Sequence, residues 1–118
     1  MITLPSTVYV ATAPINLALS FDRLASLARE VLGGDPRSTT LFIFHNRRRT
    51  HLKLLWHDGS GYCVLYKRLD RGQFRIPSAP EALTSRVMIS ERELRVLLEG
   101  IDMALIRSAQ RELRASAR

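Results

Sequence analysis

Cysteine is almost missing from this sequence. Cys63 stands alone, so no disulfide can close within the chain and folding needs no oxidising compartment. No basic stretch followed by an apolar run opens the chain, which argues against a secretory signal. No segment approaches the ~20 apolar residues that cross a bilayer. These absences predict a protein of the cytoplasm. Lysine is scarce too: of 18 basic residues only Lys53 and Lys67 are lysines, and 11 acidic residues leave a formal net charge of +7. Arginine is favoured where a planar fork meets phosphate, carboxylate or a base edge. High genomic GC content is the competing cause of such a bias.

What is present fits one small core. The chain has 118 residues, too few for two ordinary domains. Its apolar fraction of 46% excludes wholesale disorder. Val8 to Ala13 reads as a short strand. Ser20 to Leu32 reads as a first helix, with Phe21, Leu24, Ala25, Ala28, Val31 and Leu32 on one buried stripe. Ser20 or Asp22 caps its start, and Gly33-Gly34 stops it before the Asp35-Pro36 turn.

Thr39 to Phe44 is rich in β-branched and aromatic residues and predicts a strand. Asn46 to Arg49 breaks it as a basic loop. His51 to His57 and Tyr62 to Leu69 flank Asp58-Gly59, a strong hairpin signal. An even-length turn puts Leu52, Leu54 and Trp56 on one face with Cys63, Leu65 and Leu69. The other face takes His51, Lys53, Leu55 and His57 with Tyr62, Val64, Tyr66 and Arg68. A bulge would exchange that correspondence. Phe74 to Pro77 reads as a short extended piece, Pro77 to Ser85 as a linker, and Val87 to Ile89 as a short apolar run. Ser90 and Glu93 fit a capping box opening a second helix to about Glu99, which buries Leu94, Leu97 and Leu98 before Gly100. Ile101 to Arg118 continues as a third, more polar helix carrying Met103, Leu105, Ile106, Ala109 and Leu113.

The basic residues are unevenly placed. Between His45 and Arg75 lie Arg47, Arg48, Arg49, Lys53, Lys67, Arg68, Arg71 and Arg75, against only Asp58 and Asp70. A hairpin holds these side chains close together, so the cluster suits phosphate contact driven by charge and counterion release. Tyr62, Tyr66 and Phe74 lie among the charges, and exposed rings would stack on unpaired bases. The competing interpretation is a solvated sheet face with ordinary aromatic cross-strand pairs.

Other chemistries find little support. His51 and His57 share a strand face but stand roughly 20 Å apart along an extended strand, too far to ligate one ion. Cys63 falls on the other predicted face, and its apolar neighbours predict a small, inert, buried thiol. Neither Cys-x-x-Cys nor His-Glu-x-x-His occurs. Two-metal nucleases need several converging carboxylates. Here Asp22, Asp58 and Asp70 sit on dissimilar elements, Asp58 in the turn and Asp70 between Arg68 and Arg71 as an expected ion-pair partner. Gly59 and Gly61 lack the Lys-Ser/Thr ending of a phosphate loop. No cofactor or metal is expected.

The segment Asp35 to Pro77, with its phrase "YKRLDRGQF" at Tyr66 to Phe74, resembles a bacterial family. So do "VYVATAP" at Val8 to Pro14, "SFDRLASLAREVL" at Ser20 to Leu32 and "LLEGID" at Leu97 to Asp102. The family is the TnpB-type accessory protein, encoded by the second reading frame of insertion elements of the sixty-six type. It is distinct from the RNA-guided nuclease of the same name. The resemblance covers about residues 4 to 102. It implies a role in transposition beside a larger transposase, with DNA binding as the common assumption. The family pattern reads Asp-Met-Arg-Lys where this chain has Asn16-Leu17-Ala18-Leu19, and Asp where it has Thr50. Two basic side chains and two carboxylates are therefore absent here.

The expected architecture is α+β: an antiparallel sheet of three or four strands around a central hairpin, with the first two helices on one side. Residues 1–103 form the domain and 104–118 a basic tail or helix extension. The expected function is non-catalytic assistance to DNA transposition. The eight basic residues named above would bind DNA, or RNA in its place. An adaptor binding an acidic surface of the transposase is the alternative, and an enzyme the remote one.

Overall fold

A computed structural model describes residues 5–30, 33–77, 85–100 and 103–116. In chain order the elements are β1 (Thr7–Ala11), α1 (Phe21–Glu30), β2 (Thr40–His45), β3 (His51–His57), β4 (Tyr62–Arg68), β5 (Arg86–Ile89), α2 (Glu91–Glu99) and α3 (Met103–Ser116). The five strands form one sheet in the order β4-β3-β2-β1-β5. The α+β class holds, with more strands than expected. The sheet is mixed, because β1 and β2 run parallel while every other neighbouring pair is antiparallel. A parallel pair needs a long crossover, and α1 supplies it. The short apolar run Val87 to Ile89 is a strand in its own right, completing the sheet beside β1.

The helices do not share a side. Leu24, Ala25 and Ala28 of α1 bury against Phe42, Phe44 and Leu55 on one face. Leu94 and Leu97 of α2 bury against Leu41, Ile43, Leu52, Leu54 and Trp56 on the other. The reason lies in β2, whose six residues are all buried. A strand covered on both faces reads as a continuous apolar run rather than an alternation, and Leu41 to Phe44 is such a run.

The hairpin register matches the expected one without a bulge: Trp56 pairs with Cys63 and Leu54 with Leu65. Leu52, Leu54 and Trp56 are buried, but beneath α2 rather than α1. Leu65 is 42% exposed, because β4 is an edge strand reaching past the cover of α2. Cys63, Leu69 and Leu98 are half-buried at the margin of that core, so the cysteine is less enclosed than predicted.

Phe21, placed on the buried stripe of α1, is 49% exposed at its first turn. Val31, Leu32 and most of the 77–85 linker lie outside the described residues. The capping box forms as read: Ser90 Oγ accepts from Glu93 N–H, and the Glu93 carboxylate accepts from Ser90 N–H. Gly100 ends α2 at φ 75°, where a Cβ would come within 2.5 Å of Leu69. No helix among the described residues is long and apolar enough to cross a membrane.

Candidate nucleic-acid interface

The loop between β2 and β3 carries Arg47, Arg48 and Arg49, and Asn46 shapes it. Asn46 Oδ1 accepts from the N–H groups of Thr50 and His51, at 2.9 and 3.1 Å. Its Nδ2 donates to Thr50 Oγ1 at 3.0 Å. An asparagine side chain bonding to backbone in this way imitates a turn. Arg49 N–H donates to the Asn46 carbonyl at 3.0 Å, and Arg49 takes the left-handed conformation at φ 58°. With the turn satisfied from within, all three arginine side chains are exposed.

The chain beyond β4 returns to this loop. Leu69 N–H donates to the Thr50 carbonyl at 3.1 Å, Phe74 N–H to the Arg49 carbonyl at 2.6 Å, and Gln73 Nε2 to the Arg48 carbonyl at 2.9 Å. Arg71 and Arg75 flank the strand-like contact and are exposed. Arg68 ends β4 opposite His51 and is exposed as well. One end of the hairpin thus gathers six arginines from three short segments. No carboxylate pairs with any of them among the described residues; Arg23 pairs with Glu30 and Arg95 with Glu91, away from this cluster. Asp70 forms no ion pair with Arg68 or Arg71, contrary to expectation.

The two lysines are committed elsewhere. Lys53 Nζ donates to the Leu19 carbonyl at 2.9 Å and lies 5.0 Å from the Tyr66 ring centroid. Lys67 points to the other face, where Nζ donates to the Leu98 carbonyl near the end of α2. A cation there favourably meets the carboxyl end of the helix dipole. These two side chains hold the hairpin to its neighbours, unlike the six arginines.

The aromatics divide likewise. Phe74 is only 1% exposed and belongs to the core beneath α2, so it offers no ring to a base. The bond from its N–H to Arg49 turns its side chain inward. Tyr62 is half-buried, edge-on to His57 with centroids 5.1 Å apart. Tyr66 is 59% exposed. With His51 and Arg68 it lines a shallow concavity of about 260 Å³.

A further arginine was not legible in the sequence. Arg92 of α2 lines a groove of about 330 Å³ together with Arg75, over an apolar floor of Ile89, Val96 and Leu97. No spacing signal links two residues from a connecting segment and a helix of the opposite layer.

The far end of the hairpin is different. Asp58 Oδ1 accepts from the N–H groups of Ser60 and Gly61, each at 3.0 Å. Those bonds lower its pKa to about 2. Half-burial and the neighbouring Asp58 charge, with a hydrogen bond from the thiol to Asp58 Oδ2 at 3.6 Å, push the Cys63 thiol up. A thiol held protonated is a poor nucleophile. His45 meets the Ala11 and Asn46 carbonyls through its two ring nitrogens, His51 meets Asn46 and Thr50 through Nδ1, and His57 Nδ1 accepts from Gly59 N–H. No group of three metal-ligating side chains occurs among the described residues.

The family described as IS66 Orf2 like protein has a model that matches residues 6–108. This chain belongs to that family. IS66 Orf2-like proteins are accessory proteins of transposition and are not known as catalysts. Within reach of the family, the protein y4hO of Sinorhizobium fredii (strain NBRC 101917 / NGR234) is 41% identical over 95 residues, 80% of either chain. The protein y4jC of the same strain is 27% identical over 100 residues, 85% of this chain and 83% of its own. Both bear the description "Uncharacterized protein". No solved structure matches. Asn16 lines a concavity with Arg47, and Thr50 closes the Asn46 turn.

Proposed function

We propose that this IS66 Orf2-like protein assists transposition by binding DNA through Arg47, Arg48, Arg49, Arg68, Arg71 and Arg75. The observation that carries this reading is the convergence of six exposed guanidinium groups, none held in an ion pair among the described residues, at one end of the hairpin. Charge of that density attracts phosphates and releases counterions, and the forked donors suit phosphate oxygens. RNA offers the same phosphates. Lys53 and Lys67 act in this scheme as internal ties rather than ligands.

The test is a salt titration of DNA binding by fluorescence anisotropy. Four to six phosphate contacts give a log-log slope of roughly −3.5 to −5.5 on duplex DNA. Replacing Arg47 and Arg48 with Ala and Arg49 with Asn, which tolerates the left-handed backbone, should weaken binding and flatten the slope. Replacing Arg107, Arg111 and Arg114 of α3 with Ala removes equal charge and should matter less. Asn46→Ala leaves the charge alone but frees the loop, so it should also weaken binding. Equal losses from the two triple variants would reduce the effect to net charge. Absence of wild-type binding near physiological salt would transfer the arginines to an acidic surface on the transposase.

A further inference from the structure

β4 is the outer strand on the hairpin side of the sheet. Its seven residues pair with β3 without a bulge. Two flanking bonds settle which backbone groups the pairing leaves over. Asp58 N–H donates to the Gly61 carbonyl at one end, and Leu69 N–H to the Thr50 carbonyl at the other. Hydrogen-bonded and non-hydrogen-bonded pairs alternate in an antiparallel ladder. Counting inward from either end, Trp56 with Cys63, Leu54 with Leu65 and Leu52 with Lys67 exchange the bonds. The N–H and carbonyl groups of Tyr62, Val64, Tyr66 and Arg68 therefore point away from β3. Among the described residues no backbone group receives them.

Sheet edges are ordinarily guarded by proline, a bulge, shortness or a charge set along the edge. β5, at the other edge, is only four residues long. β4 has no proline and no bulge, and its charges are confined to one end. Lys67 lays its ammonium on α2 rather than along the edge. In the middle, Leu65 and Tyr66 are exposed on opposite faces.

We propose that β4 pairs antiparallel with β4 of a second copy of this chain, centred on Leu65, joining two sheets into one. The centre follows from the backbone groups left free. With Leu65 facing the partner's Leu65, Tyr62 lies opposite the partner's Arg68 and Val64 opposite the partner's Tyr66. All outward groups of both copies are then used, in roughly eight hydrogen bonds. A register shifted by two residues leaves one of the four residues in each copy without a partner. Charge favours the same arrangement. Lys67 and Arg68 meet the partner's Cys63 and Tyr62 rather than their own kind, and a guanidinium over an aromatic ring is attractive. Parallel pairing would set these cations side by side. The two-fold contact closes on itself, so growth stops at the pair.

The experiment combines light scattering with cross-linking of the whole chain. A dimer that dissociates on dilution is expected. In a Cys63→Ser background, Leu65→Cys should form an interchain disulfide on mild oxidation. A non-hydrogen-bonded pair brings Cα atoms to about 4.5 Å, within disulfide range. Val64→Cys in that background should form none. Leu65→Lys sets two ammonium groups face to face and should give a monomer with an unaltered circular dichroism spectrum. A monomer mass at every concentration overturns the proposal. So does a dimer that survives Leu65→Lys and yields no bridge through Leu65→Cys, because its interface then lies elsewhere.

Discussion

Asp58 links the hairpin turn to acidity. Its carboxylate accepts two backbone N–H bonds that the unfolded chain does not provide. Its folded pKa of about 2 lies below the ordinary value near 3.9. A lowered folded pKa means stability that is fully present above the ordinary value and lost as pH falls through the folded one. Urea midpoints of the wild type and Asp58→Asn should therefore differ at pH 6 by an amount that shrinks from about pH 4 down through pH 2; a difference as large at pH 2 as at pH 6 would refute the assignment. The sequence showed this aspartate as a turn signal but gave no sight of its contact with Cys63, since that depends on the pairing of β3 with β4. Arg49 is a comparable case. Nothing in three consecutive arginines marks the last as left-handed, whereas the Asn46 bonds that impose the conformation are plain in the structure.

Among elements, local chemistry was the most legible. The capping box of α2, the glycine that ends it and the hairpin register were all readable, because each rests on neighbours in sequence. The layer to which a helix belongs rests on packing between distant segments. Alternation in β3 identified Leu52, Leu54 and Trp56 as core without saying which helix covers them. It also ranked Leu65 with Leu54, since an edge strand and an inner strand share one alternation. Their energetic difference is large. Leu54 is 1% exposed in the core beneath α2, and Leu54→Ala should cost about 2–5 kcal/mol. Leu65→Ala, measured where the chain is monomeric, should stay within about 0.5 kcal/mol. Chemical denaturation of the two variants gives the comparison, and equal losses would mean that β4 is covered.

Across the whole molecule, charge is sorted by position. The arginine end was legible because its six contributors lie close in sequence, and a hairpin necessarily folds them together. Arg92 was not, because only the three-layer packing sets α2 beside Arg75. The assignment of Lys53 and Lys67 was equally hidden, since linear charge density does not distinguish a free cation from a tie. The strand order also has a consequence for biosynthesis. β1 lies inside the sheet, with Val8 paired to Leu41 on one side and Ile89 on the other. A ribosome delivers Val8 well before Ile89. Until then one side of β1 is an open ladder, and the α2 face of the sheet is bare. Chains truncated before Arg86 should thus be cleaved by protease around Thr7–Ala11, and chains extended through α2 should resist that cleavage. Equal resistance at both lengths would mean that the first four strands stand alone, with β5 and α2 added to a framework already closed.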